Sequence, residues 1–120
     1  FLFDNPIEGI EREVSRIAAR PFAVNVRSSG IEGYVEVADI ARRYGGIVEI
    51  NAHCRQPEFI EARCGQWLME HPDVLERIIR EVSEIAPVSV KIRNCKNCVD
   101  VAKKAFRAGT TLVHIDAMIP

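Results

Sequence analysis

Ile47-Val48-Glu49-Ile50-Asn51-Ala52-His53-Cys54 is the most informative segment of this chain. Its first five residues are rich in β-branched side chains and follow Gly45-Gly46, a pair that ends helices, so they predict a buried strand. The residues after the strand are polar or ionisable. In folds built from parallel strands and helices, functional groups gather where strands end and loops begin.

The same alternation of short strands and longer amphipathic helices extends in both directions. Asp4 and Asn5 are candidate N-caps for a first helix that begins with Pro6 and ends at Arg20-Pro21. Further helices are predicted over residues 34–44, 58–70, 74–85 and 98–108, and strands over 22–26, 47–51, 88–92 and 111–115. This order predicts βα units in a parallel sheet with right-handed crossovers.

Two architectures are compatible with this order, an open doubly wound sheet and part of a closed eight-stranded barrel. A complete barrel needs about 250 residues, whereas this chain has 120 and forms one domain at most. It lacks a G-x-G-x-x-G turn after a strand, so nothing favours a dinucleotide-binding open sheet.

Composition excludes few functions. The formal net charge is −1, so no global positive field attracts nucleic acid or anionic membrane, although a local basic patch is compatible with it. The sequence has no apolar run of membrane-spanning length and shows no signal-peptide pattern over its first residues. The four cysteines are therefore expected to be reduced thiols in a cytoplasmic protein.

Each predicted strand is followed by, or ends in, groups that can do chemistry. Cys54 follows the second strand, where a thiol can be a nucleophile or a proton donor, and adjacent His53 and Arg55 would favour its thiolate. A cysteine that merely packs is equally compatible with the spacing. Lys91 lies inside an apolar strand and must be paired or functional unless its ammonium reaches solvent. His114 occupies the analogous place on the next strand.

The remaining cysteines suggest a second chemistry. Cys95-Lys96-Asn97-Cys98 is a C-x-x-C motif at a helix start, compatible with redox activity or two metal ligands. Cys54 and Cys64 are poorly spaced to complete a zinc site, so the favoured interpretation of Cys95 and Cys98 is two ordinary thiols near a helix N-terminus. A four-cysteine zinc or iron–sulfur site made of Cys54, Cys64, Cys95 and Cys98 is the weaker alternative.

Several segments, in this order, resemble dihydrouridine synthases. That family has an Asn-x-Gly-Cys-Pro loop, a Gly-x-x-Leu helix followed by proline, a Val-Lys-Ile-Arg strand and a Val-His strand. The matching residues here are Val48 to Cys54, Cys64 to Met69 with His71-Pro72-Asp73, Val90 to Arg93, and Val113-His114. The resemblance covers most of residues 22–116.

The resemblance implies an α/β chain of parallel βα units, about half of a TIM (β/α)8 barrel, with residues 1–120 as a single partial domain from its central portion. It implies FMN at the C-terminal face and NADPH as electron source for reducing a uracil base in tRNA. Cys54 would donate the proton to the pyrimidine. The implied cofactor ligands are Lys91, His114, Asn51 and Asn25, and Asn51 and Arg93 would also bind substrate.

The chain also departs from the family motifs. His53 stands where the family has glycine, Arg55 stands where it has proline, and its His-Gly-Arg-Thr run becomes His114-Ile115-Asp116-Ala117. A dihydroorotate dehydrogenase-like flavoenzyme acting on a free pyrimidine, and a non-catalytic or metal-binding barrel, are the alternatives. Since half a barrel has two unpaired sheet edges, the remaining strands or a partner chain would be needed to close the sheet.

Overall fold

Four parallel strands form one sheet in the computed structural model, which describes residues 5–118. The strands are β1 (Ala23–Val26), β2 (Ile47–Ala52), β3 (Val88–Arg93) and β4 (Leu112–Asp116). They lie side by side in chain order, and each neighbouring pair is parallel. The predicted α/β class with parallel βα units is confirmed.

Helices connect the strands. They are α1 (Pro6–Ile17), α2 (Ile31–Arg43), α3 (Pro57–Glu61), α4 (Trp67–Glu70), α5 (Pro72–Ser83) and α6 (Cys98–Ala108). Asn5 is the N-cap of α1, since its Oδ1 accepts the Ile7 N–H at 3.0 Å; the other candidate, Asp4, lies outside the described residues. The first helix ends at Ile17, short of the predicted Arg20. Within residues 5–118, no helix has the length and apolar character needed to cross a membrane.

The prediction of one helix over residues 58–70 is wrong. The structure has two short helices there, α3 and α4, separated by a turn. Arg63 and Gly65 in this turn have φ angles of 59° and 63°. Left-handed residues cannot continue a right-handed helix, so the chain must bend at both positions. The turn brings Gly65 against the loop that carries Cys54.

The two faces of the sheet differ in chemistry because side chains alternate along each strand. One face is apolar and packs under the helices; its fully buried members include Val48, Ile50, Ala52, Val88, Val90 and Ile92. The opposite face is polar. In register across it, Asn25 lies beside Glu49, Glu49 beside Ser89, Asn51 beside Lys91, and Lys91 beside His114. Such layers of inward side chains line the interior of βα barrels.

Candidate active site

Cys54 lies immediately beyond the end of β2, and two N–H donors point at its sulfur. Arg27 Nη1 donates to Cys54 Sγ at 3.2 Å, and Asn51 Nδ2 donates to the same sulfur at 3.2 Å. Arg27 follows β1, and its guanidinium is stacked 3.8 Å over the ring of Phe59. Donors from a cation and an amide can stabilise negative charge that develops on sulfur.

Asn51 forms hydrogen bonds with the loop that carries Cys54. Its side chain is buried, with the residue only 4% exposed. Its Oδ1 accepts the backbone N–H groups of His53 at 3.2 Å and Cys54 at 3.1 Å. Its Nδ2 also donates to Asn25 Oδ1 at 3.0 Å. Because every polar atom of the amide is used, Asn51 fixes both the backbone and the sulfur of Cys54.

The loop is also held from its other side. The Gln66 N–H donates to Cys54 O at 2.7 Å, and the Arg93 guanidinium donates from Nε and Nη2 to His53 O at 3.4 and 3.3 Å. Glycine at position 65 lets this part of the chain lie close to Cys54 O, since a Cβ added there would lie 2.3 Å from that oxygen. The predicted substrate ligand Arg93 therefore has a positioning contact within the chain itself.

Glu49 is a member of the polar face that the sequence analysis did not single out. Its Oε1 accepts from Asn25 Nδ2 at 2.9 Å, and its Oε2 accepts from Ser89 Oγ at 3.0 Å and lies 3.3 Å from His114 Nδ1. Burial alone would raise the pKa of Glu49, but these hydrogen bonds outweigh it and hold the pKa below its usual range. The signal in the sequence was a carboxylate inside an apolar strand, which, like the ammonium of Lys91, must be paired or functional.

Lys91 and His114 lie on the same polar face as Asn51. Lys91 is half-buried and, within the part of the chain that the structure describes, its ammonium makes no hydrogen bond or ion pair shorter than 4 Å. Its register neighbours are Asn51 on β2 and His114 on β4. The ammonium is therefore available to a ligand, whereas His114 is tied to Glu49.

His53 and Asp116 lie together beside the cysteine. His53 Nδ1 is 3.2 Å from Asp116 Oδ2, with side chains 17% and 15% exposed, and His53 Nε2 is 3.8 Å from Cys54 Sγ. Burial lowers the pKa of His53, and the Lys91 ammonium lowers it further, against the opposing effect of Asp116. The sequence marked both residues as departures from a motif, but it gave no sign that they meet.

The other three cysteines have local partners. Cys64 is buried, its thiol donates to Phe59 O at 3.4 Å, and burial raises its pKa. The Cys95 thiol donates to Asn97 Oδ1 at 2.9 Å, and the Cys98 thiol lies 3.9 Å from Asn94 Oδ1. Among residues 5–118 no three His, Cys, Asp or Glu side chains come together to hold a metal ion. The four-cysteine site is thus not assembled in the described structure.

Parallel strands with a cysteine and converging polar groups at their carboxyl ends define a βα-barrel type of site. A family model described as dihydrouridine synthase (Dus) matches residues 8–117. The chain belongs to the dihydrouridine synthase family, and its βα units are part of a TIM barrel.

Two curated relatives are similar to this chain. An uncharacterised protein of Methanocaldococcus jannaschii is 40% identical over 76 residues, which is 61% of this chain and 29% of that protein. The tRNA-dihydrouridine synthase B of Proteus vulgaris is 33% identical over 76 residues, 58% of this chain and 24% of that protein. The matched part therefore spans about a quarter of the length of these relatives.

Proposed function

We propose that the protein carrying this chain reduces a uracil base in tRNA, with FMN as cofactor and NADPH as electron source, and that Cys54 is its proton donor. The single observation that carries the proposal is the sulfur of Cys54, which lies beyond a buried strand with N–H donors from Arg27 and Asn51 at 3.2 Å each. The family supports the substrate class, since it is the dihydrouridine synthase family.

The polar face suits a flavin by the chemistry of its donors. Lys91 has an ammonium that no residue of the described chain neutralises by direct contact, and positive charge close to a flavin ring favours its reduced, anionic form. Lys91 would hold the cofactor together with Asn51, His114 and, through the amide network, Asn25. A bound flavin would supply the hydride for reduction of the pyrimidine ring.

Cys54 would supply the matching proton. As the proton leaves, negative charge develops on Sγ, where Arg27 and Asn51 are already aligned to stabilise it. Donors placed in advance at the atom that gains charge lower the barrier without reorganisation. Asn51 and Gln66 fix the loop backbone, so the sulfur keeps its direction through the reaction.

The surroundings of Cys54 favour a polyanionic substrate. Although the net charge of the chain is −1, Arg27, Arg55, Lys91 and Arg93 all follow or end the strands at this edge. A groove of about 390 Å³ beside the loop is lined by Arg55 and Arg93 among others. Arginines in such a groove can contact phosphates and stack on bases. A tRNA substrate also agrees with the cytoplasmic location expected from the sequence.

The intact protein would supply what this chain lacks. We propose that residues 1–120 are the central portion of the barrel and that the remaining strands close the sheet beyond β1 and β4. Phosphate-binding loops of TIM barrels follow the late strands, so ligands for the FMN phosphate would come from those strands. Exposed Leu112 and Ile115 on β4, at 54% and 48%, are in place to be covered by a following unit.

The test uses the intact protein, unmodified tRNA transcript and NADPH. Wild-type protein should copurify with a yellow chromophore and form dihydrouridine. Cys54→Ala should keep the visible absorbance and lose nearly all product, whereas the matched control Cys98→Ala should keep both. Product formation that survives Cys54→Ala would refute its role as proton donor. Turnover of a free pyrimidine but not of tRNA would reassign the substrate, and a colourless, inactive protein would refute the flavin reaction.

A further inference from the structure

The imidazole of His53 lies between the reactive sulfur and a carboxylate. Its Nε2 is 3.8 Å from Cys54 Sγ, and its Nδ1 is 3.2 Å from Asp116 Oδ2. The two residues come from different parts of the sheet edge, the loop after β2 and the end of β4. A thiol, an imidazole and a carboxylate in this order are the components of a proton-transfer chain.

The Nδ1 atom of His53 lies close to the Asp116 carboxylate without a hydrogen bond between them. This atom is buried, and among residues 5–118 it has no hydrogen-bond partner. The torsion that turns a histidine ring is broad and soft. A small rotation would let Nδ1–H donate to Asp116, which fixes the tautomer with Nε2 as the nitrogen that faces sulfur.

The charges around His53 favour a neutral resting imidazole. Lys91 and Arg93 face it from β3, Asp116 faces it from β4, and Cys54 lies next to it on the same loop. Burial and Lys91 together hold the pKa of His53 below its usual range. The neutral ring can accept a proton on Nε2, and the imidazolium that results is a stronger acid than an ordinary histidine.

Resting on the proposed function, we propose that His53, oriented by Asp116, is the proton relay that recharges Cys54 in each turnover. In the reduction the S–H bond breaks, a C–H bond forms on the uracil ring, and the sulfur keeps the electron pair as thiolate. A bound, reduced flavin would supply the hydride to the neighbouring ring carbon. The neutral imidazole of His53 then takes a proton from solvent water on Nε2, which leaves hydroxide, and passes that proton to the thiolate. A new S–H bond forms, and His53 returns to its neutral form.

The relay accounts for a conflict within the site. Arg27 and Asn51 stabilise the thiolate, which helps Cys54 to release its proton but hinders recovery of that proton. A nearby acid of lowered pKa, supplied from solvent, removes this hindrance. A histidine that only packed against the loop would not need a carboxylate at its far nitrogen.

The experiment measures Cys54 directly, with the intact protein. Its alkylation by iodoacetamide is followed against pH by peptide mass spectrometry, with Cys98 as internal reference. Loss of the imidazole in His53→Gln should slow alkylation of Cys54 at neutral pH by on the order of tenfold, because the base that draws the proton from sulfur is gone. Asp116→Asn keeps the shape and should give a smaller slowing. The matched controls, His71→Gln and Asp100→Asn, should leave the profile unchanged.

A second readout tests the relay in turnover. His53→Gly should reduce dihydrouridine formation by on the order of a hundredfold, and added imidazole should restore a large part of it. Imidazole should not restore Cys54→Ala. Rescue by a diffusible proton carrier would not follow from a packing role, and Asp116→Asn provides a test even if His53→Gly unfolds.

The outcomes separate the two proposals. Alkylation of Cys54 that is unchanged in both His53→Gln and Asp116→Asn overturns the relay, and so does turnover in folded His53→Gly that imidazole fails to raise. If wild-type protein reduces no uracil but its Cys54 alkylation depends on His53 and Asp116, the proposed function fails and the coupling of the three groups stands. Dependence in both readouts supports the relay.

Discussion

Gly65→Ala probes how the fold holds the loop that carries Cys54. Gly65 has a φ of +63°, and a Cβ there would lie 2.3 Å from the carbonyl oxygen of Cys54 and 3.3 Å from its Cβ. The left-handed backbone costs an alanine about 1–2 kcal/mol. The clash is with backbone that also accepts the Gln66 N–H at 2.7 Å, so relief requires a shift of the loop, which costs about 1–3 kcal/mol more.

Gly45→Ala separates these two costs. Gly45 also has a positive φ, +76°, but nothing lies within 4 Å of an added Cβ, so its replacement should cost only the backbone term of about 1–2 kcal/mol. Urea unfolding of the intact protein should therefore show Gly65→Ala less stable than Gly45→Ala by about 1–3 kcal/mol. Alkylation of Cys54 should change only in Gly65→Ala. Equal losses of stability, with unchanged alkylation in both, would refute the role of Gly65 in positioning Cys54.

Four further predictions concern the polar face and the sheet edges. Glu49→Ala should destabilise the intact protein by about 1–3 kcal/mol because it leaves the Asn25 and Ser89 donors without their acceptor, with a smaller loss in Glu49→Gln; equal stability of all three proteins in urea would contradict this. Since the pKa of Glu49 is lowered, its stabilising contribution should be present above its ordinary pKa of about 4.5 and be lost as pH falls below that. Glu49→Gln should therefore make the melting temperature less dependent on pH in the acid range. The pKa of His53 is also lowered, so the melting temperature should fall on acidification through about pH 6.5. His53→Gln should reduce this fall, and an equal fall in wild type and His53→Gln would contradict the prediction. Residues 5–118 expressed alone should associate or unfold without a sharp transition, and a monodisperse monomer that unfolds cooperatively would show that the open edges are tolerated.

Local pattern was sufficient for most of the fold. Strands β1 to β4 and helices α5 and α6 fall within a few residues of their predicted positions, because period-two and helical spacings are written in neighbouring residues. The failure over residues 58–70 has a local cause of another kind. Apolar spacing there suits a helix, but Gly65 adopts a left-handed conformation to approach the Cys54 carbonyl, and that contact is not visible in the spacing.

The candidate site divides in the same way. The prediction that groups at strand exits converge, with Asn51, Lys91 and His114 side by side, needed only the order of strands and the rule that parallel strands end at one edge. The role of Glu49 was missed because a carboxylate in a strand does not show which donors will face it. The assignments of Asn25, Asn51, Lys91, Arg93 and His114 as ligands of flavin or substrate remain predictions.

By itself, the sequence determined the alternation of strands and helices, the position of Cys54 after a buried strand, and the family. These depend on residues adjacent in the chain or on motifs in fixed order. Only the tertiary structure decided that Arg27 would donate to the cysteine sulfur and that His53 would meet Asp116. Such contacts depend on register and on the paths of loops from different strands, which are set by the packing of the whole sheet rather than by any local pattern.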